Sequence, residues 1–236
     1  MPKEHLSNIE LYYSEPEKFS ADFVIIDGDE YRHITKVMRH KTGDELYVTN
    51  GLGKIYKTNL TFISKSEVKI EIKEEFRYEN NFKNISFCIP RLKSPDRFEF
   101  AVEKSVELGI TNFIIYSSNR SVAKGTKIER WKKIVLSAMK QSLRSYLPAI
   151  SEIKSLNEIT KSDCEIILFE QNSKKNIKEL NIIPDKKYIF VFGPEGGLDE
   201  KELNTVGEGQ IYNLVDNRLR SETAIIKFAS ILPSLY

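Results

Sequence analysis

Cysteine, histidine and long apolar runs are scarce in this chain, and each scarcity excludes a class of protein. Only Cys88 and Cys164 occur among 236 residues, each inside an apolar run, which argues against a disulfide-stapled scaffold and fits a reducing cytoplasm. The three histidines, His5, His33 and His40, show no ligand-like spacing with the cysteines, so no structural metal is expected. No stretch of about 18 apolar residues is present, so no membrane-spanning helix is expected. The opening Met1-Pro2-Lys3-Glu4-His5 lacks the apolar centre of a signal peptide. Charge of one sign is missing too. The 36 basic and 34 acidic residues leave a net +2, so attraction to nucleic acid must come from local distribution. What remains is the composition of an ordinary globular protein, 40% hydrophobic and 30% charged, long enough for one large domain or two small ones.

The texture changes near residue 80. Before it lie short β-branched and aromatic runs at Asp22–Ile26, Glu45–Asn50, Lys54–Ile63 and Val68–Arg77. Gly51 and Gly53 between two of them signal a hairpin. Tyr31, Ile34, Val37 and Met38 recur at helical spacing over Tyr31–Arg39. A small β-barrel carrying one helix is expected over residues 1–73, a polar linker over 74–83 and an α/β domain over 84–236. In the second domain, apolar strands are expected at Ile85–Ile89, Phe113–Tyr116, Cys164–Phe169, Tyr188–Phe192 and Ile211–Val215. Helical patterns lie between and after them at Asp96–Leu108, Lys127–Tyr146, Leu198–Val206 and Arg220–Ile231. This alternation predicts a parallel sheet covered on both faces, with ligands at the carboxyl ends of its strands.

The segment richest in chemistry is Gly193-Pro194-Glu195-Gly196-Gly197, between a strand and a helix expected to begin near Leu198. A tight turn needs one glycine or two. Three glycines with a carboxylate exceed that and suggest close backbone approach to a ligand, with helix N–H groups beyond. No Gly-Lys-Ser/Thr follows, the dinucleotide spacing is absent, and Glu195 would repel phosphate, so an uncharged or cationic ligand is expected. A second dense loop, Asn217-Arg218-Leu219-Arg220-Ser221-Glu222-Thr223-Ala224, joins the last strand to the last helix. Alone it reads as a capped helix start, with Ser221 or Thr223 as cap and Glu222 favouring the dipole. Beside the glycine loop it is expected to share one pocket.

Two basic stretches point toward RNA. On Lys127–Tyr146, an apolar stripe through Ile128, Trp131, Ile134, Val135, Ala138 and Met139 is opposed by Arg130, Lys133, Ser137, Lys140 and Arg144. Near the start, Arg32, Lys36 and Arg39 lie close together on a helix, with His40 and Lys41 just beyond. Either alone reads as solvated surface, but together they predict a basic face for a phosphate backbone. Cys88 and Trp131 read as core.

At these residues the chain resembles the RsmE family of the SPOUT superfamily. The resemblance runs from His33-Ile34, Val37-Met38-Arg39 and Gly43-Asp44 through Asp96-Arg97-Phe98-Glu99, Glu103-Lys104 and Glu107-Leu108-Gly109. It continues through Arg120-Ser121-Val122, Arg130-Trp131, Lys140-Gln141-Ser142, Arg144 and Pro148 to the glycine loop and Arg218–Ala224. It implies a PUA-like N-terminal β-barrel and a SPOUT α/β domain with a C-terminal trefoil knot. It also implies a homodimeric enzyme that uses S-adenosylmethionine to methylate N3 of a uridine in 16S rRNA of the small ribosomal subunit. Carried over by position, the donor pocket comprises Leu168, Phe169, Glu170, Gly193, Glu195, Gly196, Gly197, Leu214, Leu219, Arg220 and Thr223. The family has glycine after the leucine of the last strand, where this chain has Val215.

Arg220 is the candidate for stabilising negative charge on the uracil, with Glu195 or Glu222 orienting it or assisting proton removal. Arg32, Lys36, Arg39, Lys41, Arg120, Lys140 and Arg144 are the candidates for RNA contact. Two other readings compete: an RNA-binding module without catalysis, which predicts a damaged glycine loop, and a nucleotide-dependent metabolic enzyme, which predicts phosphate motifs.

Overall fold

The structure, a computed structural model, describes residues 8–120, 127–161, 164–204 and 210–235. It separates into two compact units, the first formed by the chain up to Asn80 plus Met139–Leu147, the second by Asn81–Ala138 and Pro148 onward.

The first unit is a five-stranded sheet in the order β1-β3-β4-β5-β2. Its strands are β1 (Leu11–Tyr13), β2 (Phe23–Asp27), β3 (Glu45–Thr49), β4 (Lys54–Ile63) and β5 (Glu67–Arg77). Alternation along the strands puts Tyr12, Val24, Ile26, Leu46, Val48, Leu60, Val68 and Ile70 into a single core. Both edge strands feed that core, and Ser14 Oγ, just past β1, donates to the Ile25 carbonyl of β2 at 2.7 Å. The sheet therefore curls until its edges meet, helped by register shifts between β4 and β5 at Lys57/Thr58 and Leu60/Phe62. Residues 74–77 of the expected linker belong to β5.

The expected N-terminal helix starts and ends earlier than its pattern. α1 spans Gly28–Arg32 and runs into a π-helical turn at His33–Val37. Ile34 is buried, but Val37 and Met38 are 64% and 45% exposed, so the apolar stripe is only half used. Arg39 has φ +58° and lies beyond the helix rather than on it.

The close of α3 (Ile128–Gln141) and the turn after it belong to the first unit. The Gly53 amide donates to the Ser145 carbonyl and the Leu147 amide to the Gly51 carbonyl, both at 2.9 Å. Gly53 has φ +93°, and a Cβ there would sit 2.3 Å from Tyr146 Oη. The hairpin glycine thus also admits this distant segment. The helix expected to reach Tyr146 stops at Gln141, and Leu143 turns the chain with φ +55°.

The second unit is a fully parallel six-stranded sheet in the order β11-β9-β10-β6-β7-β8. The strands are β6 (Ile85–Pro90), β7 (Asn112–Tyr116), β8 (Ala149–Ile153), β9 (Glu165–Phe169), β10 (Tyr188–Val191) and β11 (Ile211–Tyr212). β10 is buried at every position, as a strand covered on both faces requires. On one face Phe87, Phe169, Phe190 and Phe192 pack around Phe228 of α5 (Ser221–Ile231), with ring centroids 4.4–6.1 Å from it. Cys88 is fully buried, and burial pushes its thiol pKa up, as befits a core residue. α2 (Pro95–Glu107) follows β6, capped by Ser94 with Pro95 in its first turn. β11 ends three residues earlier than expected because Asn213 leaves to bond with Lys175 and Ile177. α4 spans Glu200–Asn204, and Val206, the expected end of that helix, lies outside the described residues, as do Ser121 and Val122. Among the described residues no helix is long and apolar enough to cross a membrane.

Candidate active site

The glycine loop starts where β10 stops. There the Phe192 amide donates to the Cys88 carbonyl at 3.0 Å, and its carbonyl accepts from the buried Tyr116 hydroxyl at 2.6 Å. Burial raises the Tyr116 pKa well above its ordinary value, so the hydroxyl stays a donor. The loop then turns, closed by the Gly197 amide donating to the Pro194 carbonyl at 2.9 Å. Gly197 has φ +71°, while among the described residues an added Cβ would meet only Arg120 Nη1, at 3.9 Å. Conformation rather than crowding requires glycine here.

Neighbouring loops pin this turn. Ser221 Oγ donates to the Gly193 carbonyl at 2.6 Å, and Arg120 Nη1 to the Gly196 carbonyl at 3.1 Å. Ser221 therefore ties the second dense loop to the first instead of capping α5, whose N-cap is Arg220 without a side-chain cap bond. The helix expected from Leu198 begins at Glu200. Asp199 Oδ1 accepts from the Glu202 amide at 2.8 Å, and Glu202 Oε2 accepts from the Asp199 amide at 3.0 Å. This reciprocal cap engages donors that were expected to be open to a ligand. The Asp199 carboxyl sits below its ordinary range because the Glu202 amide, and then Asn119, donate to it.

Beyond the carboxyl ends of β9, β10 and β11 an open cleft of about 1030 Å³ results. Phe169, Glu170, Gly193, Glu195, Gly196, Gly197, Leu214, Leu219 and Arg220, all expected at a donor pocket, line it. The two dense loops thus converge, as expected. Leu168 lies below, fully buried beside Cys88 and Val191, and Thr223 is exposed on α5; neither is in the lining. Val215 lines the cleft at the position where the family pattern has glycine.

Of the candidate catalytic residues, Arg220 and Glu195 line the cleft, both exposed, and Glu195 Oε1 accepts from the Lys93 amide at 3.1 Å. Glu222 does not line it. It is buried, with Oε1 3.6 Å from Arg97 Nε.

The residues expected to meet RNA divide between the units. Arg120 lines the cleft and braces the glycine loop, whereas Arg32, Lys36, Arg39, Lys41, Lys140 and Arg144 belong to the first unit. Two of the basic residues expected on the α3 face are paired with acids from other elements. Glu99 binds Arg130, and Glu30 binds the mostly buried Lys140. Arg144 lies past the end of α3 and off its face. Arg32 pairs with Asp29 at 3.3 Å, while Lys36, Arg39 and Lys41 are exposed.

Sequence reasoning overlooked Arg97 as a site residue, along with Gln171 and Asn172 after β9. The available signal for Arg97 was position, since it stands in the first turn of the helix that follows β6.

The lining suits a nucleoside carrying a positive centre. Phe169, Leu214 and Leu219 offer apolar walls for a base, the glycine loop offers backbone groups, and Glu170 and Glu195 supply negative charge. No group of three or more His, Cys, Asp or Glu side chains placed to hold a metal occurs among the described residues.

Comparison with known proteins gives the same direction. An RNA methyltransferase domain family matches residues 79–233, and an RNA methyltransferase PUA domain family matches residues 26–73. Ribosomal RNA small subunit methyltransferase E of Bacillus subtilis (strain 168) is 32% identical over 218 residues, covering 84% of this chain and 85% of the relative. The protein of that name from Aquifex aeolicus is 29% identical over 229 residues, covering 94% and 98%. The crystal structure of ribosomal RNA small subunit methyltransferase E from Neisseria gonorrhoeae bound to S-adenosyl methionine superposes with a TM-score of 0.85 at 28% identity, covering 97% and 98%. The N-terminal curled sheet is accordingly PUA-like and the parallel-sheet unit SPOUT-like. The chain belongs to the ribosomal RNA small subunit methyltransferase E family of RNA methyltransferases.

Proposed function

We propose that this protein transfers a methyl group from S-adenosylmethionine to N3 of a uridine in the 16S rRNA of the small ribosomal subunit. The observation that carries the reading is the convergence of the glycine loop and the 214–221 loop on one cleft at the strand ends. The names of its relatives and the donor bound in the Neisseria structure support it.

S-adenosylmethionine, when bound, supplies the electrophilic methyl carbon. The chain supplies orientation, which removes much of the barrier to a two-body transfer. Phe169, Leu214 and Leu219 would enclose the adenine while the glycine loop contacts the donor through its backbone. Arg220, at the N-cap of α5 and open to the cleft, would stabilise negative charge on the uracil oxygens as the N3 proton leaves. Of the two candidate carboxylates Glu195 lines the cleft and Glu222 does not, which favours Glu195 for orienting Arg220 or accepting that proton. The exposed Lys36, Arg39 and Lys41 would contact RNA phosphates. A homodimer, a C-terminal trefoil knot and a cytoplasmic location complete the proposal, all implied by the resemblance.

Calorimetry of the chelator-treated protein with S-adenosylmethionine, followed by transfer of its radiolabelled methyl group to small subunits, tests the reading. Binding without added metal and label in 16S rRNA are expected. RNA binding without donor binding would instead mark a non-catalytic binding module.

A further inference from the structure

Arg97 stands in the first turn of α2, where the helix dipole disfavours a cation. It is nevertheless part of the cleft lining, and its side chain is 46% exposed. Behind it Glu222, in the first turn of α5, is buried, with Oε1 3.6 Å from Arg97 Nε and Oε2 lacking a hydrogen-bond partner among the described residues. Burying a carboxylate with one oxygen unsatisfied does little for stability, and replacing such pairs by apolar groups is often neutral. At 3.6 Å from Nε the Glu222 carboxylate draws the guanidinium to its side by charge and leaves the Nη donors for another anion.

We infer that Arg97 is a substrate-binding residue at the cleft rim that takes an RNA phosphate beside the target base, and that Glu222 is its positioning residue rather than the proton acceptor. The inference rests on the proposed methyl transfer to RNA. Arg97 is a half-exposed cation in the lining, whereas the walls suited to the donor's adenine are apolar. Planar guanidinium groups bind phosphate bidentately, which lysine cannot reproduce.

The experiment compares wild type, Arg97→Ala, Arg97→Lys, Glu222→Gln and the Arg97→Ala/Glu222→Gln double variant. Donor Kd is read by calorimetry, and KM, kcat and the pH profile by methylation of small subunits at several salt concentrations. Arg97→Ala should raise KM roughly tenfold or more and lower the salt slope by about one, with donor Kd unchanged. Arg97→Lys should recover only part of the loss. Glu222→Gln should raise KM by a smaller factor, leave the kcat pH profile in place, and add nothing in the double variant.

A weakened donor Kd in Arg97→Ala, or a loss confined to kcat, would overturn the phosphate role. Additive effects, or a lost acidic limb in Glu222→Gln, would overturn the positioning role. If wild type neither binds donor nor transfers methyl groups, the functional reading itself fails, a result distinct from every variant outcome.

Discussion

Replacing Gly197 separates two reasons for a glycine in the loop. Its φ of +71° lies in the left-handed region, and among the described residues no atom outside its immediate neighbours comes within 3.9 Å of an added Cβ. Left-handed backbone costs an L-residue about 1–2 kcal/mol, more for a β-branched one, whereas asparagine visits that region routinely. The turn is held mainly by one backbone hydrogen bond to Pro194 and by bonds from Arg120 and Ser221 to its neighbours. Gly197→Val should therefore relieve its strain by shifting the turn, without unfolding the unit. Donor binding must then restore the turn, so Kd should rise by at least about fivefold to thirtyfold. Gly197→Asn, of similar size, should stay within about threefold of wild type. The assay is calorimetric titration with S-adenosylmethionine, with melting temperature as the control. Equal losses in both variants would show that side-chain volume in the cleft decides, and normal binding by Gly197→Val would remove the loop from the donor site.

Three further outcomes are expected. Arg220→Ala should lower single-turnover methylation on the order of 100-fold with little change in donor Kd, because its contribution arises as charge develops; an unchanged rate would remove it from the reaction centre. Arg39→Ala should weaken RNA binding and reduce its salt dependence while sparing donor affinity, since this exposed residue lies in the other unit from the cleft; an unchanged salt slope and RNA affinity would refute the contact. The Glu165 carboxyl lies below its ordinary range, first because Lys186 donates to it and also because Gln210 does. A depressed folded-state pKa stabilises above the unfolded value near about 4.3, and that stabilisation is lost as pH falls through the folded value. Glu165→Gln should therefore flatten the stability curve between about pH 5 and about pH 3, by at most about 1 kcal/mol for so exposed a pair; an unaltered slope in denaturant titrations would refute the assignment.

Periodicity made most strands legible. β4 and β10 carry enough β-branched and aromatic residues in a row to announce themselves. β1 did not, because three residues are too few for a pattern. β8 did not, because it is an edge strand with no fully buried position. The end of α3 was misread because its cause is distant. Residues 139–147 bond to Gly51 and Gly53, and no local signal reports a partner so far away in sequence. The two site loops were legible from glycine and arginine density. Their junction through Ser221 was not, since a serine before a helix equally predicts a cap. Arg97 and Glu222 meet only after two helices from opposite ends of the second unit's sequence are packed, so the carboxylate read as a candidate base is instead found behind an arginine.

If the protein acts as proposed, a uridine in small-subunit rRNA carries a methyl group at N3. Mass spectrometry of nucleosides from 16S rRNA tests it most directly, comparing a strain lacking this gene with the same strain carrying it. N3-methyluridine should disappear on deletion, return with the wild-type gene and stay well below the wild-type level with Arg220→Ala. N3-methyluridine at equal levels in both strains would contradict it.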